Sequence, residues 1–201
     1  YHDKFGAGNA YRYRIRAVID TQREHGEKIF DRIRIGGRLQ YRHDKFHTSS
    51  ARLRWGYRNQ NEATTFSGYD QSEYLVELGH TWRPWGDKRT LSATVFGEAR
   101  RAEADRFSYN EIGIRLGARA PLNDKTDIFG RVSTYSRNYR ADTAGFSRED
   151  TRLKATFGVS HKYSKNMRTE AYVGWDHNKS NNSDRAYSGL IGGINLRITW
   201  D

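Results

Sequence analysis

Cysteine is absent from all 201 residues, so a disulfide framework, a zinc-thiolate site and a thiol nucleophile are excluded. Only two prolines occur, which leaves room for long uninterrupted strands. No apolar run approaches the roughly 20 residues that a transmembrane helix requires, and the mean hydropathy is −0.97. That absence excludes helical spans alone, because a β-span needs about ten residues with every second one apolar. Residues Tyr1–Ala10 show no signal peptide, so an exported protein would be met here as a mature or trimmed chain.

Hydrophobic residues make up only 35 %, as in some disordered chains, but aromatic residues reach 13 %, which such chains lack. The aromatics are strand formers and favour an ordered all-β protein. The formal charge of +11 calls for an anionic partner or an internal use of the charge.

The dominant pattern has period two. In Tyr11-Arg12-Tyr13-Arg14-Ile15-Arg16-Ala17-Val18-Ile19 one parity is apolar and the other is mostly arginine. The segment from Arg32 to Arg42 repeats it, as does Ala51 to Arg58. A helix would scatter these residues around its axis, whereas a strand sorts them onto two faces. Apolar rows follow in Tyr74–Trp82, Leu91–Ala99, Ile112–Ala120, Leu153–Tyr163, Ala171–Trp175 and Leu190–Trp200. One strand near Asp127–Asn138 is ambiguous, since Phe129 and Tyr135 oppose the parity of Ile128 and Val132.

Connections alternate in length. His43–Thr48, Arg83–Lys88, Pro121–Lys125 and Ser164–Asn166 are short and mostly rich in turn formers. Asn59–Gln71, Tyr139–Asp150 and His177–Tyr187 are longer and more polar. Short periplasmic turns and longer extracellular loops characterise outer-membrane barrels. The expectation is an antiparallel up-and-down transmembrane β-barrel of about ten strands, one domain over 1–201, compatible with being the C-terminal part of a longer protein. Both termini would then be periplasmic. Tyr41, Phe46, Trp82, Trp85, Tyr163 and Trp200 cluster at the short-turn end, where an aromatic membrane girdle would lie.

The final segment, Gly193-Ile194-Asn195-Leu196-Arg197-Ile198-Thr199-Trp200, resembles the C-terminal signal strand of Gram-negative outer-membrane proteins, which ends on an aromatic residue recognised by the barrel-assembly machinery. Here that residue is Trp200 rather than the commoner Phe, and Asp201 follows it. Ser160–Trp200 is also similar to the end of barrels joined to periplasmic repeat domains, such as surface lipoprotein assembly modifiers and exopolysaccharide-export porins. The resemblance implies residence in the outer membrane and export or assembly partners in the periplasm.

If the apolar parity faces lipid, the other lines an interior. Arg12, Arg14, Arg16, Arg32, Arg34, Arg38, Arg42, Arg52, Arg54 and Arg58 then share three adjacent strands, with Arg115, Arg119, Arg152, Lys154 and Arg197 beyond them. Guanidinium forks suit carboxylate, sulfate or phosphate. An anion-selective, porin-like passage for anionic solutes or acidic oligosaccharides follows. Glu73, Glu77, Glu98, Glu111 and Glu170 share the inward parity, and arginines crossing to them would instead build a salt-bridged plug. A non-conducting barrel that anchors an export or assembly complex is the corresponding alternative.

A soluble basic sheet binding nucleic acid is disfavoured, because the aliphatic face would need a covering layer that the chain does not offer. Neither cofactor nor metal is indicated, since His2, His25, His43, His47, His80 and His161 lack ligand spacing. Omptin-family proteases carry an Asp-His pair at the loop end of their barrels. Here Asp176 and His177 are adjacent and would face opposite sides, so the expectation is a protein without enzymatic activity.

Overall fold

The computed structural model describes residues 2–24, 27–61, 68–86, 88–141 and 145–199. Eleven strands form one sheet in chain order: β1 (His2–Phe5), β2 (Tyr11–Glu24), β3 (Glu27–Arg42), β4 (His47–Gln60), β5 (Gln71–Trp82), β6 (Thr90–Ala102), β7 (Tyr109–Pro121), β8 (Thr126–Tyr139), β9 (Glu149–Lys162), β10 (Met167–Ser180) and β11 (Tyr187–Ile198). Every neighbouring pair is antiparallel. The ten strands expected from the sequence correspond to β2–β11. The count is corrected to eleven by β1, a four-residue stub too short to show a period of its own. The order begins at β1 and ends at β11, and these two are not paired with each other among the described residues.

Register carries the two-face sorting across the sheet. Ile35 lies opposite Ala17 and Trp55, Leu78 opposite Ala51 and Val95, and Leu116 opposite Ala93 and Val132. These residues belong to an outward apolar face on which Leu190 is 83 % and Val173 66 % exposed. For the strand the sequence left ambiguous, β8, the pairing settles the facing. Ile128 and Val132 share the apolar face with Ala120 and Leu116, so Phe129 and Tyr135 belong to the opposite one.

The polar face is concave. Neighbouring strands lie about 4.8 Å apart, so strands three positions apart would be about 14 Å apart in a flat sheet. Yet Arg119 on β7 reaches Glu170 on β10 at 3.0 Å, and, two strands apart, Arg54 on β4 reaches Glu98 on β6 at 3.3 Å. The small core lies on this inner side, where Leu75, Phe96 and Phe129 are almost fully buried. Two of these rings lie over glycines on the next strand: Phe96 opposite Gly113 and Phe129 opposite Gly158. A Cβ on Gly113 would meet the Phe96 ring at 2.6 Å and the Thr134 carbonyl oxygen at 2.5 Å, so only glycine admits this close approach.

The connections at one end are tight. Between β3 and β4, the Asp44 carboxylate accepts hydrogen bonds from the backbone N–H groups of Phe46 at 2.6 Å and His47 at 2.8 Å. These N–H groups hold the carboxyl below the ordinary aspartate range. An aromatic belt runs along the same end on the outer face. Tyr11 packs on Tyr41 at 4.7 Å, and His47 stacks on Trp82 at 6.2 Å. Tyr163 contacts His161 at 4.7 Å, and Trp85 projects from its turn with the Arg89 guanidinium 5.9 Å from its ring. Trp200 and the turn residue Asp87 fall outside the described residues. The C-terminal strand ends on this side, with Ile198 opposite Met167, whereas His2 lies part-way along the sheet opposite Arg14.

Candidate functional site

The inward parity brings the arginines of β2, β3 and β4 into transverse rows. Arg14, Arg38 and Arg52 lie directly opposite one another, and the next row is Arg16, Gly36 and Arg54. Arg34 follows one row further, between Val18 and Gly56. Gly36 is thus the floor of an arginine ring, and the hollow above it has a volume of about 290 Å³. Its floor is backbone, since a Cβ on Gly36 would approach the Leu53 carbonyl oxygen at 2.7 Å.

Cross-strand neighbours of like charge destabilise a sheet. The concave face offsets that repulsion unevenly. Asp20 accepts from Arg32 and Arg34, each at 3.0 Å. Glu77 takes Arg52 at 2.9 Å together with Arg115 from the far side, and Glu98 takes Arg54. By contrast, Arg12, Arg14 and Arg16 have no ion pair among the described residues, and Arg38 donates only to the Ser50 hydroxyl at 3.2 Å. Arg42 donates to the Gly8 carbonyl at 3.0 Å, and Arg58 lies 4.3 Å over the Phe30 ring.

The remaining wall is compensated more fully. Glu111 accepts from Arg137 at 2.7 Å, Glu170 from both Arg119 and Arg131, and Asp176 from Arg152 at 2.7 Å. Glu73, only 4 % exposed, faces Arg100 at 3.7 Å. Rings add a second layer: Arg115 stacks at 3.8 Å over Phe96, Arg131 at 4.2 Å over Phe129, and Arg137 at 4.3 Å over Tyr109. Lys154 lies opposite Asp176 and Ser133, and Arg197 opposite Arg168 near the end of the sheet. The charged residues anticipated for an interior therefore all lie on the concave face. Tyr41, Trp82, Trp85 and Tyr163 lie at the short-turn end.

Several members of this face were not anticipated. Asp20, Asp127, Asp150 and Asp176 supply counter-charge, and Arg100, Arg131 and Arg137 supply charge. Parity counted outward from Glu98 places Arg100, and parity counted from Arg16 places Asp20. Arg131 and Arg137 follow only once the facing of β8 is known.

No family model matches the chain, and no curated protein does. Solved structures do. OmpT of Vibrio cholerae, an outer membrane protein folded in vitro, superposes with a TM-score of 0.58 at 12 % identity, over 94 % of this chain and 64 % of that one. The fold is that of an outer-membrane β-barrel protein. A loop L8 deletion of the same protein gives a TM-score of 0.58 at 13 % identity, over 94 % of this chain and 62 % of that one. The trimer form of in-vitro folded OmpT gives 0.55 at 11 % identity, over 92 % of this chain and 64 % of that one. The chain thus spans less than two thirds of the length of these OmpT structures.

These matches speak for the outer-membrane barrel class and lend no support to the export-porin or assembly-modifier subfamilies. The expectation of a protein without enzymatic activity is corrected. The fold neighbours are OmpT outer membrane proteins, and a shared fold neither assigns nor excludes an activity. Within the candidate pair, Asp176 is buried against Arg152 and Tyr187, and His177, its strand neighbour, lies on the outer face.

Proposed function

We propose that the chain forms a wall of an outer-membrane β-barrel whose interior binds or conducts anionic solutes, acidic saccharides among them. The observation behind this reading is the uncompensated arginine row. Arg14 and Arg16 have no acidic partner among the described residues and Arg38, opposite Arg14, donates only to a hydroxyl, although Glu77, Glu98, Glu111, Glu170 and Asp176 on later strands pair with other arginines. A sheet that keeps repulsive neighbours while neutralising others retains the charge for use. In a space walled by a low-dielectric sheet the positive potential is focused and draws anions in. Outer-membrane lipid is the partner of the apolar face, and a periplasmic export or assembly partner is compatible with this role.

A second reading has its own support. Glu77, Glu98, Glu111, Glu170 and Asp176 bind arginines across up to three strands, as a closed charge network would. A barrel filled this way would anchor an envelope complex without conducting.

Planar bilayers separate the two. Anion-selective reversal potentials across a KCl gradient are expected, and the paired substitution Arg14→Glu with Arg16→Glu should abolish or invert them. Silent membranes favour the anchoring barrel, and cation selectivity refutes the cationic interior.

A further inference from the structure

From the arrangement around Gly36 we infer a binding site for a tetrahedral, multiply charged oxyanion of the phosphate or sulfate class, rather than only a field that concentrates small anions. This inference rests on the anion reading above and deepens it. Three observations converge on it.

The first is geometric. Arg14 and Arg16 line the hollow from β2 and Arg38 from β3, beside Arg54 of β4, which Glu98 already engages, so forks from adjacent strands share one space. A planar carboxylate offers two oxygens and is satisfied by a single fork. A tetrahedral dianion offers three or four oxygens in different directions and can accept from several forks together.

The second is charge. With Arg34, Arg52 and Arg54 engaged by Asp20, Glu77 and Glu98, the arginines of the hollow left over are Arg14, Arg16 and Arg38. Three positive charges side by side are best offset by more than one negative charge. A monoanion leaves most of the repulsion in place.

The third is space. The hollow of about 290 Å³ exceeds what one tetrahedral ion fills, leaving room for a sugar or alcohol carrying an ester of it. The missing side chain at Gly36 lets the β3 and β4 backbones approach closely beneath the hollow. Its neighbours Arg16 and Arg54 occupy the same row on either side.

The test separates fork geometry from charge. The full chain, folded in detergent and checked by heat-modifiable gel mobility, is titrated calorimetrically at constant ionic strength with inorganic phosphate, inorganic sulfate, glucose 6-phosphate and glucuronate. Phosphate or sulfate is expected to bind more tightly than glucuronate. The double substitution Arg14→Lys with Arg38→Lys keeps the charge and removes two forks, so phosphate affinity should fall by about tenfold or more. Anion selectivity in KCl should survive in that variant. A substitution on the compensated wall, Arg131→Lys, should leave phosphate affinity unchanged. Tighter binding of glucose 6-phosphate than of inorganic phosphate identifies an ester as the ligand, and the reverse identifies the free ion. Anion selectivity without preferential phosphate or sulfate binding overturns the oxyanion site while leaving the anion reading intact. Loss of selectivity in the wild-type chain overturns both.

Discussion

Replacing Glu77 with Gln tests the charge layout through two readouts of opposite sign. Glu77 is only 12 % exposed at its side chain and accepts from Arg52, 43 % exposed, and Arg115, 45 % exposed. Removing one partner of a fully buried pair costs about 3–5 kcal/mol, whereas solvent-exposed pairs contribute about 0.2–1 kcal/mol. A shielded carboxylate with two half-exposed partners falls between these limits. The amide oxygen still accepts one of the two bonds, which brings the loss to about 2 kcal/mol. In a chain of this length about 2–4 °C of melting temperature accompany each kcal/mol, so a drop of about 4–8 °C is expected. The same substitution deletes a negative charge from the concave face and should raise the anion-to-cation permeability ratio. Gel mobility after graded heating gives the first readout and bilayer reversal potentials the second. Asp124→Asn serves as control, since its pair with Lys88 is 94 % and 68 % exposed. If Glu77→Gln melts with the wild type, the concave face is screened by bulk water and the reasoning from enclosure is wrong.

Further substitutions probe the rest of the design. Val173→Arg, on the apolar face of β10, should destabilise the protein by about 2–4 kcal/mol if that face meets the bilayer midplane; unchanged folding into lipid vesicles would refute the outward facing. Gly113→Ala forces its new methyl against the Thr134 carbonyl and the Phe96 ring, and a loss of about 1–3 kcal/mol by thermal unfolding is expected. The Asp44 carboxyl is held below its ordinary range, so the turn it caps gains stability above about pH 3.9 and loses it as pH falls through the lower folded-state value. Amide shifts of Phe46 and His47 should follow that titration, and Asp44→Asn should flatten it.

Most strands were legible because their two faces differ so sharply in chemistry. Alternation of isoleucine or tyrosine with arginine in β2, β3 and β4 leaves one sorting, and pairing reproduces it residue by residue. The alternation fails on β8 for a physical reason. Phe129 and Tyr135 are hydrophobic by type yet belong to the polar face, where Phe129 covers Gly158 and both rings carry guanidiniums. Hydropathy does not separate a ring that meets lipid from one that meets arginine. The stub β1 escaped because four residues carry too little pattern. Apart from β1 and β8, strand facing was thus readable from each segment alone, but the balance of charge was not. Whether Arg54 is neutralised depends on Glu98, 44 positions away in the chain and brought close by the strand order of the sheet.

A guanidinium laid flat on a phenyl ring takes little room and points along the wall instead of away from it. On β7 and β8 the rings of Phe96 and Phe129 hold Arg115 and Arg131 in this way, while Arg14 and Arg16 on β2 have no ring beneath them among the described residues. In a bore of the kind proposed, the β7–β8 flank would be smooth and the β2 flank would bristle. A solute following the bristled flank would travel off-centre, and the narrowest clearance would be set by the reach of a few flexible stems rather than by the number of strands.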